Sequence, residues 1–190
     1  MTSQTSQRAP LERFLASRRT DQIKRYAGGR HVLDFGCGEF HWNLRSLVGH
    51  AASLAGFDLF FAGRPSFRVD GGITIYGALD EIKEPIDCII SLACFEHIEH
   101  DALPEVLKQL HRLSASNAFI VGTVPRPPAK PVLEFLSYKC RLIDKSQILD
   151  HKFYYDRTTL AANCRRGGWQ LAEYRTFQLG MNSFFKLTKL

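Results

Sequence analysis

The chain has 190 residues and a net charge of +6, one domain's length and enough to bury a core without disulfide or metal staples. Its five cysteines are odd in number and contain no CxxC pair, which argues against a disulfide framework or zinc knuckle and fits a reducing, cytoplasmic setting. The polar start MTSQTSQRAP lacks the apolar region of a secretory signal, and no apolar run is long enough to span a bilayer, so neither export nor membrane insertion is expected.

The charge is uneven. Residues 1–30 carry +5, residues 31–122 carry −6 and residues 123–190 carry +7. Basic ends could form a rim that attracts an anionic substrate or nucleic acid. No dense Lys/Arg cluster with interleaved aromatics occurs, so solvated helix faces explain the pattern more simply.

Along the chain, Pro10–Tyr26 reads as an amphipathic helix, with Leu11, Phe14, Leu15, Ile23 and Tyr26 at helical spacing and Gly28-Gly29 as its stop. His31–Phe35 is a short apolar strand that runs directly into Gly36-Cys37-Gly38, a tight turn, and Phe40–Val48 continues as a short helix. Ser53–Phe57 is a second strand ending at Asp58, Gly72–Tyr76 a third and Ile86–Leu92 a strongly apolar fourth. Asp101–Leu113 places Leu103, Val106, Leu107, Leu110 and Leu113 on one helix face. Ala118–Val124 is a fifth strand, stopped by the proline-rich 125–131. A longer aromatic and basic stretch follows, then a helix over Thr158–Arg166 and two closing strands, Trp169–Thr176 and Ser183–Thr188. Strands alternating with helices through residue 124 predict a parallel sheet with helices on both faces. One domain over 1–190 is the simplest organisation, with an N-terminal helical lid over 1–30 and a substrate-side insertion over 125–156.

The chemistry concentrates at Val32–Glu39. Open α/β sheets bind ligands at the carboxyl ends of their strands, where this turn lies. Glycines there let the backbone pass close to a cofactor. Asp58 follows Gly38 by twenty positions at the end of the next strand, where a carboxylate accepts hydrogen bonds from both ribose hydroxyls. The dinucleotide fingerprint would need a small residue at position 41. The bulky His41 and Trp42, with the acidic Asp34 beside the turn, disfavour a pyrophosphate. Asp34 favours a cofactor carrying an amino group and a sulfonium, both positive.

Val32-Leu33-Asp34-Phe35-Gly36-Cys37-Gly38 resembles motif I of the class I methyltransferases that use S-adenosylmethionine (SAM). Asp58, the loop Gly77-Ala78-Leu79-Asp80 and the segment Asp87–His97 (DCIISLACFEH) extend the likeness, and the small-molecule branch is the nearest. The resemblance implies an α/β, Rossmann-like doubly wound fold, with a mainly parallel seven-stranded sheet, helices on both faces and an antiparallel last strand. It also implies S-adenosylmethionine as cofactor and methyl transfer to an O or N nucleophile of a metabolite, sugar or natural product. Asp34 would then organise the turn and the methionine amino group, and Gly36, Cys37 and Gly38 would line the methionine and ribose. Asp58 would hold the ribose, Leu59 would flank the adenine, and Ala78 and Leu79 would cover it. Many relatives carry an acid at the position of Ala78, whereas here the nearest is Asp80. Leu92 and Ala93 would face the methionine end.

The sulfonium is a strong methyl donor, so such an enzyme mainly aligns a nucleophile with it. If the nucleophile must lose a proton, His97 is the candidate base, ahead of His100 and His151. His97 and His100 could share a helix face, but no third ligand follows by spacing, and no metal is expected. Cys94 reads as a core thiol. Tyr154 or Tyr155 could line the acceptor pocket, and Arg8, Arg13, Arg18 and Arg19 could belong to a lid. The alternatives are an RNA methyltransferase, which the basic ends would suit and steep salt dependence would reveal, a binding module without SAM affinity, and a dehydrogenase that binds nicotinamide.

Overall fold

The computed structural model describes residues 23–129 and 152–190. In chain order these form helix α1 (Lys24–Ala27), strand β1 (His31–Phe35), helix α2 (Trp42–Arg45), and strands β2 (Ser53–Phe57), β3 (Phe67–Val69), β4 (Ile73–Tyr76) and β5 (Ile86–Leu92). Helix α3 (Leu103–Leu113), strand β6 (Ser114–Pro125), helix α4 (Arg157–Arg166) and strands β7 (Trp169–Phe177) and β8 (Asn182–Lys189) complete them. Most of the predicted Pro10–Tyr26 helix, with Arg8, Arg13, Arg18 and Arg19, lies outside the described residues, as do His151 and most of the 125–156 insertion.

The strands make one mixed sheet in the order β3-β4-β2-β1-β5-β6-β8-β7. The pairs β1–β2, β1–β5, β2–β4 and β5–β6 are parallel, whereas β8 runs antiparallel to both β6 and β7. This is the expected Rossmann-like arrangement with an antiparallel last strand. The number of strands differs, eight instead of seven. The extra strand is β3, paired antiparallel to β4 at the sheet edge. Its three residues are exposed or half-buried around Arg68, so no apolar alternation marks it in the sequence.

Side-chain alternation along the central strands divides the core between the two faces of the sheet. Val32, Leu54, Cys88, Ile90 and Val121 pack with Ile23 and Ala27 of the α1 region and Leu44 of α2. Leu33, Ala55, Ile89 and Ile120 pack with Leu103, Leu107 and Leu110 of α3 and Leu160 and Cys164 of α4. Each such buried aliphatic side chain contributes roughly 1.5–3 kcal/mol of hydrophobic stabilisation. Asp156 caps α4, accepting from the Thr159 amide while the Thr159 hydroxyl accepts from the Asp156 amide. Trp169 is fully buried beneath α3 and donates its indole N–H to the Leu107 carbonyl at 2.9 Å.

Strand order reverses at β1, since the chain leaves it for β2 on one side and returns to β5 on the other. Sheets of this kind have their ligand crevice outside the carboxyl ends of the strands at such a reversal. The Gly36 turn stands there.

Candidate active site

The turn after β1 is built from backbone conformations that glycine tolerates. Gly36 has φ +85° and Gly38 φ +66°. A Cβ on Gly36 would lie 2.5 Å from the Cys94 Sγ, so β1 and the exit of β5 approach closely only because this residue has no side chain. The Gly36 and Cys37 amides both donate to the Phe57 carbonyl at the end of β2, at 2.8 and 3.2 Å. Asp58 completes the link, with Oδ2 accepting from the Gly38 amide at 2.8 Å and Oδ1 from the Phe60 amide at 2.9 Å. One carboxylate thus fixes both loops and retains lone pairs for a ligand's hydroxyls.

Asp34 is fully buried beside this turn. Its Oδ2 accepts from Asn43 Nδ2 at 3.2 Å, while its Oδ1 has no hydrogen-bond partner. Burial pushes its carboxyl up to about 7; the Asn43 bond opposes this and the nearby Asp58 charge adds to it. A buried acceptor oxygen beside a second carboxylate suits a cationic donor, which would restore Asp34 to its charged form.

His41 takes a left-handed conformation with φ 41°, so α2 begins only at Trp42 and spans four residues, shorter than the predicted Phe40–Val48. Its ring is buried and tilted against Phe61 at 6.4 Å. Burial, with the Arg45 charge, lowers its pKa. The position that a dinucleotide fingerprint keeps small is therefore filled by a packed side chain.

The remaining predicted cofactor residues lie on different elements. Cys37 is buried, and burial with the Asp34 and Asp58 charges keeps its thiol protonated. Leu59 begins a short 3-10 turn and is 81% exposed. Ala78 precedes another such turn, Leu79–Glu81. That loop lies against the chain after β2, because a Cβ on Gly77 would sit 1.8 Å from the Arg64 carbonyl oxygen. Leu79 also borders a concavity of about 540 Å³ with Asp80, Ile82, Gln109, Arg112 and Leu113. The Gly36 turn does not line that space, so it is separate from the crevice. Leu92 ends β5 in the core, and Ala93 follows with φ 52° and its amide on the Thr123 carbonyl at 2.9 Å. A left-handed alanine is strained, and such strain concentrates at functional turns.

His97 is half-buried at the end of the 3-10 turn Phe95–His97. The Glu96 carbonyl in this turn accepts from the Lys152 and Phe153 amides at 2.7 and 3.2 Å, which stitches the segment before α4 to the exit of β5. His100 lies further out, within 3.3 Å of Asn163 Nδ2 and 4.4 Å from the Phe153 ring centroid. Tyr155 is fully buried against Phe153, so it belongs to the core and not to a pocket wall; Tyr154 is half-buried beside it. Sequence reasoning missed Asn43 and the wedge made by Cys94. Asn43 carries a weak signal, a polar residue in the first turn of the helix that follows the glycine turn. Cys94 carries none, because its contact with Gly36 joins residues far apart in the chain.

Residues 7–174 match a family described as a methyltransferase domain. Comparison with curated proteins gives no significant match. The fold is similar to a magnesium protoporphyrin IX methyltransferase from Synechocystis PCC 6803 with bound S-adenosylhomocysteine (SAH), at TM-score 0.63 and 11% identity over 100% of this chain and 89% of that one. It is also similar to an S-adenosylmethionine-dependent methyltransferase from Mesorhizobium loti, at TM-score 0.61 and 18% identity over 88% and 96%. A Burkholderia thailandensis 1,6-didemethyltoxoflavin-N1-methyltransferase aligns at TM-score 0.63 and 11% identity over 94% and 82%. At these identities the solved structures establish the fold, and the family match establishes the lineage. Among the described residues, no helix is long and apolar enough to cross a membrane.

Proposed function

Since the chain belongs to the methyltransferase-domain family, whose methyl donor is SAM, we propose that it methylates an O or N nucleophile of a small molecule in the cytoplasm. The observation that carries the cofactor half of this reading is the pair of carboxylates at the Gly36 turn. Asp58 is oriented by two backbone amides, and Asp34 keeps a buried oxygen without a partner.

In this reading Asp34 Oδ1 accepts from the methionine ammonium, and Asp58 accepts from the ribose hydroxyls. The backbone of Gly36, Cys37 and Gly38 lines the chain between them. Leu59, Ala78 and Leu79 enclose the adenine through apolar contact, and Leu92 and Ala93 flank the methionine end. SAM, when bound, supplies a methyl carbon on a sulfonium, and the C–S bonding pair leaves with sulfur as the neutral thioether SAH when an acceptor lone pair forms the new bond. His97 takes the proton from a hydroxyl or ammonium acceptor through its imidazole nitrogen. The small-molecule acceptor is supported by the neighbours' own substrates, a porphyrin and a toxoflavin precursor.

Calorimetric titration with SAM, SAH and NADH tests the reading. SAM and SAH are expected to bind and NADH to give no heat. Binding of NADH without SAM would overturn it and support a dehydrogenase.

A further inference from the structure

A second group of buried polar atoms lies at the same end of the sheet, one strand beyond Leu92. The Thr123 side chain is fully buried on β6, and its hydroxyl has no hydrogen-bond partner. In the parallel register Thr123 is opposite Leu92, the residue assigned to the methionine end. Three residues later, Arg126 turns back onto the β7–β8 hairpin. Its amide donates to the Met181 carbonyl at 2.9 Å and its Nη1 to the Gly180 carbonyl at 3.0 Å. Its Nε is buried without a partner. Gln178, in the hairpin turn, accepts from Asn182 Nδ2 at 2.7 Å through Oε1 and leaves Nε2 buried without a partner. Asn182 pairs with Pro125 across the sheet, and Phe184 with Thr123. Thr123, Pro125 and Asn182 therefore share one sheet face, the face of Leu92.

The three orphaned groups are a guanidinium N–H, an amide N–H and a hydroxyl, all able to donate. Leaving buried donors unmatched costs about 1–3 kcal/mol each. The hairpin turn also holds two consecutive left-handed residues that are not glycine, Gln178 at φ 51° and Leu179 at φ 55°. Strain of this kind persists where a site requires it. Arg126 makes no ion pair among the described residues. The carboxylate that feels its charge is Asp156, whose pKa it helps to lower, behind the larger effects of the Thr159 cap.

We propose that Thr123, Arg126 and Gln178 form an oxyanion subsite that seats a carboxylate or phosphate-ester group of the methyl acceptor. This rests on the methyltransferase reading for the direction of the pocket, not for its chemistry. Arg126 contributes the charge and a directed N–H, Gln178 a second N–H, and Thr123 a hydroxyl nearest the methionine end. The acceptor is then an anionic small molecule held by its charged end, with its nucleophile turned toward Leu92 and Ala93. The basic third of the chain, residues 123–190, would favour its approach.

The full chain saturated with SAH is titrated with inorganic phosphate and with acetate, against chloride at matched ionic strength. Binding is followed by calorimetry and by the Arg Nε–H signals in 1H–15N spectra. Phosphate, acetate or both are expected to bind and to move one Arg Nε–H resonance. The stronger of the two identifies the group that the acceptor carries. Arg126→Gln removes that resonance, and both it and Gln178→Glu weaken the anion tenfold or more, about 1.4 kcal/mol. Gln178→Glu keeps the size and shape of a half-buried turn residue, so it keeps the test open if Arg126→Gln folds poorly. No anion-dependent resonance, or anion binding in both variants equal to that of the unmodified chain, would overturn the proposal. SAH affinity, measured in the same samples, reports separately on the cofactor reading, and its loss in the unmodified chain would overturn that reading instead.

Discussion

The carboxyl ends of the strands carry two polar regions built on opposite principles. At the Gly36 turn, backbone donors are matched: Gly36 and Cys37 to Phe57, Gly38 and Phe60 to Asp58. Asp34 Oδ1 and the His41 ring nitrogen Nδ1 are left over. At the β6–β8 corner three donors on three residues are left over. A cofactor common to many reactions can be held by a pre-formed turn that closes on itself. An acceptor particular to one reaction must be met by side chains that wait for it, and the cost of leaving them unmatched falls on the free protein.

The contrast is sharpest at the glycines. Gly36→Ala adds a Cβ 2.5 Å from Cys94 Sγ in a left-handed conformation. It is expected to cost roughly 3 kcal/mol of stability and to remove measurable SAM binding. Thermal melting and calorimetry would show both. Gly180, at φ +79°, has only Arg126 Nη1 near its would-be Cβ, at 3.5 Å. Gly180→Ala should cost only about 1 kcal/mol and leave SAM affinity within about twofold. Equal effects at the two positions would erase the distinction between a packed turn and an open corner.

Asp34 gives the next largest effect. Asp34→Asn removes the acceptor for an ammonium and is expected to weaken SAM about a hundredfold, roughly 2.7 kcal/mol. Because its folded pKa is raised to about 7 by burial, its contribution to stability is full at acid pH and is lost as pH rises through 7. The cofactor-free Asn variant should therefore melt above wild type at pH 8, and this advantage should vanish near pH 4. For SAM the direction is opposite. The carboxylate must be charged, so affinity should fall about tenfold per pH unit below 7. A flat affinity from pH 6 to 8 would place the ammonium elsewhere. A smaller effect than at Asp34 is expected at Asp58→Ala, about tenfold in SAM affinity, or about 1.4 kcal/mol.

The same two regions separate what the sequence reveals from what it conceals. Strands β1, β2 and β5, helices α3 and α4 and the glycine turn are continuous patterns, so periodicity and local motif mark them with nearly their observed bounds. Asp34 and Asp58 are legible because the turn and the next strand end fix their places. Strand β3 is hidden because a short exposed edge has no apolar alternation. The helix after the turn reads as too long because nothing local reports that His41 adopts a left-handed conformation. Tyr155 reads equally as pocket or core, and its packing against Phe153 places it in the core. The Thr123–Arg126–Gln178 corner joins residues more than fifty positions apart through an antiparallel register, and no window along the chain brings them together.

The most direct test is the crystal structure of the chain with SAH. It should place the amino group within hydrogen-bond distance of Asp34 Oδ1 and the ribose hydroxyls on Asp58, with the sulfur beside Leu92 and Ala93. A cofactor whose ribose lies away from Asp58, or whose amino group has no contact with Asp34, would contradict the proposed site.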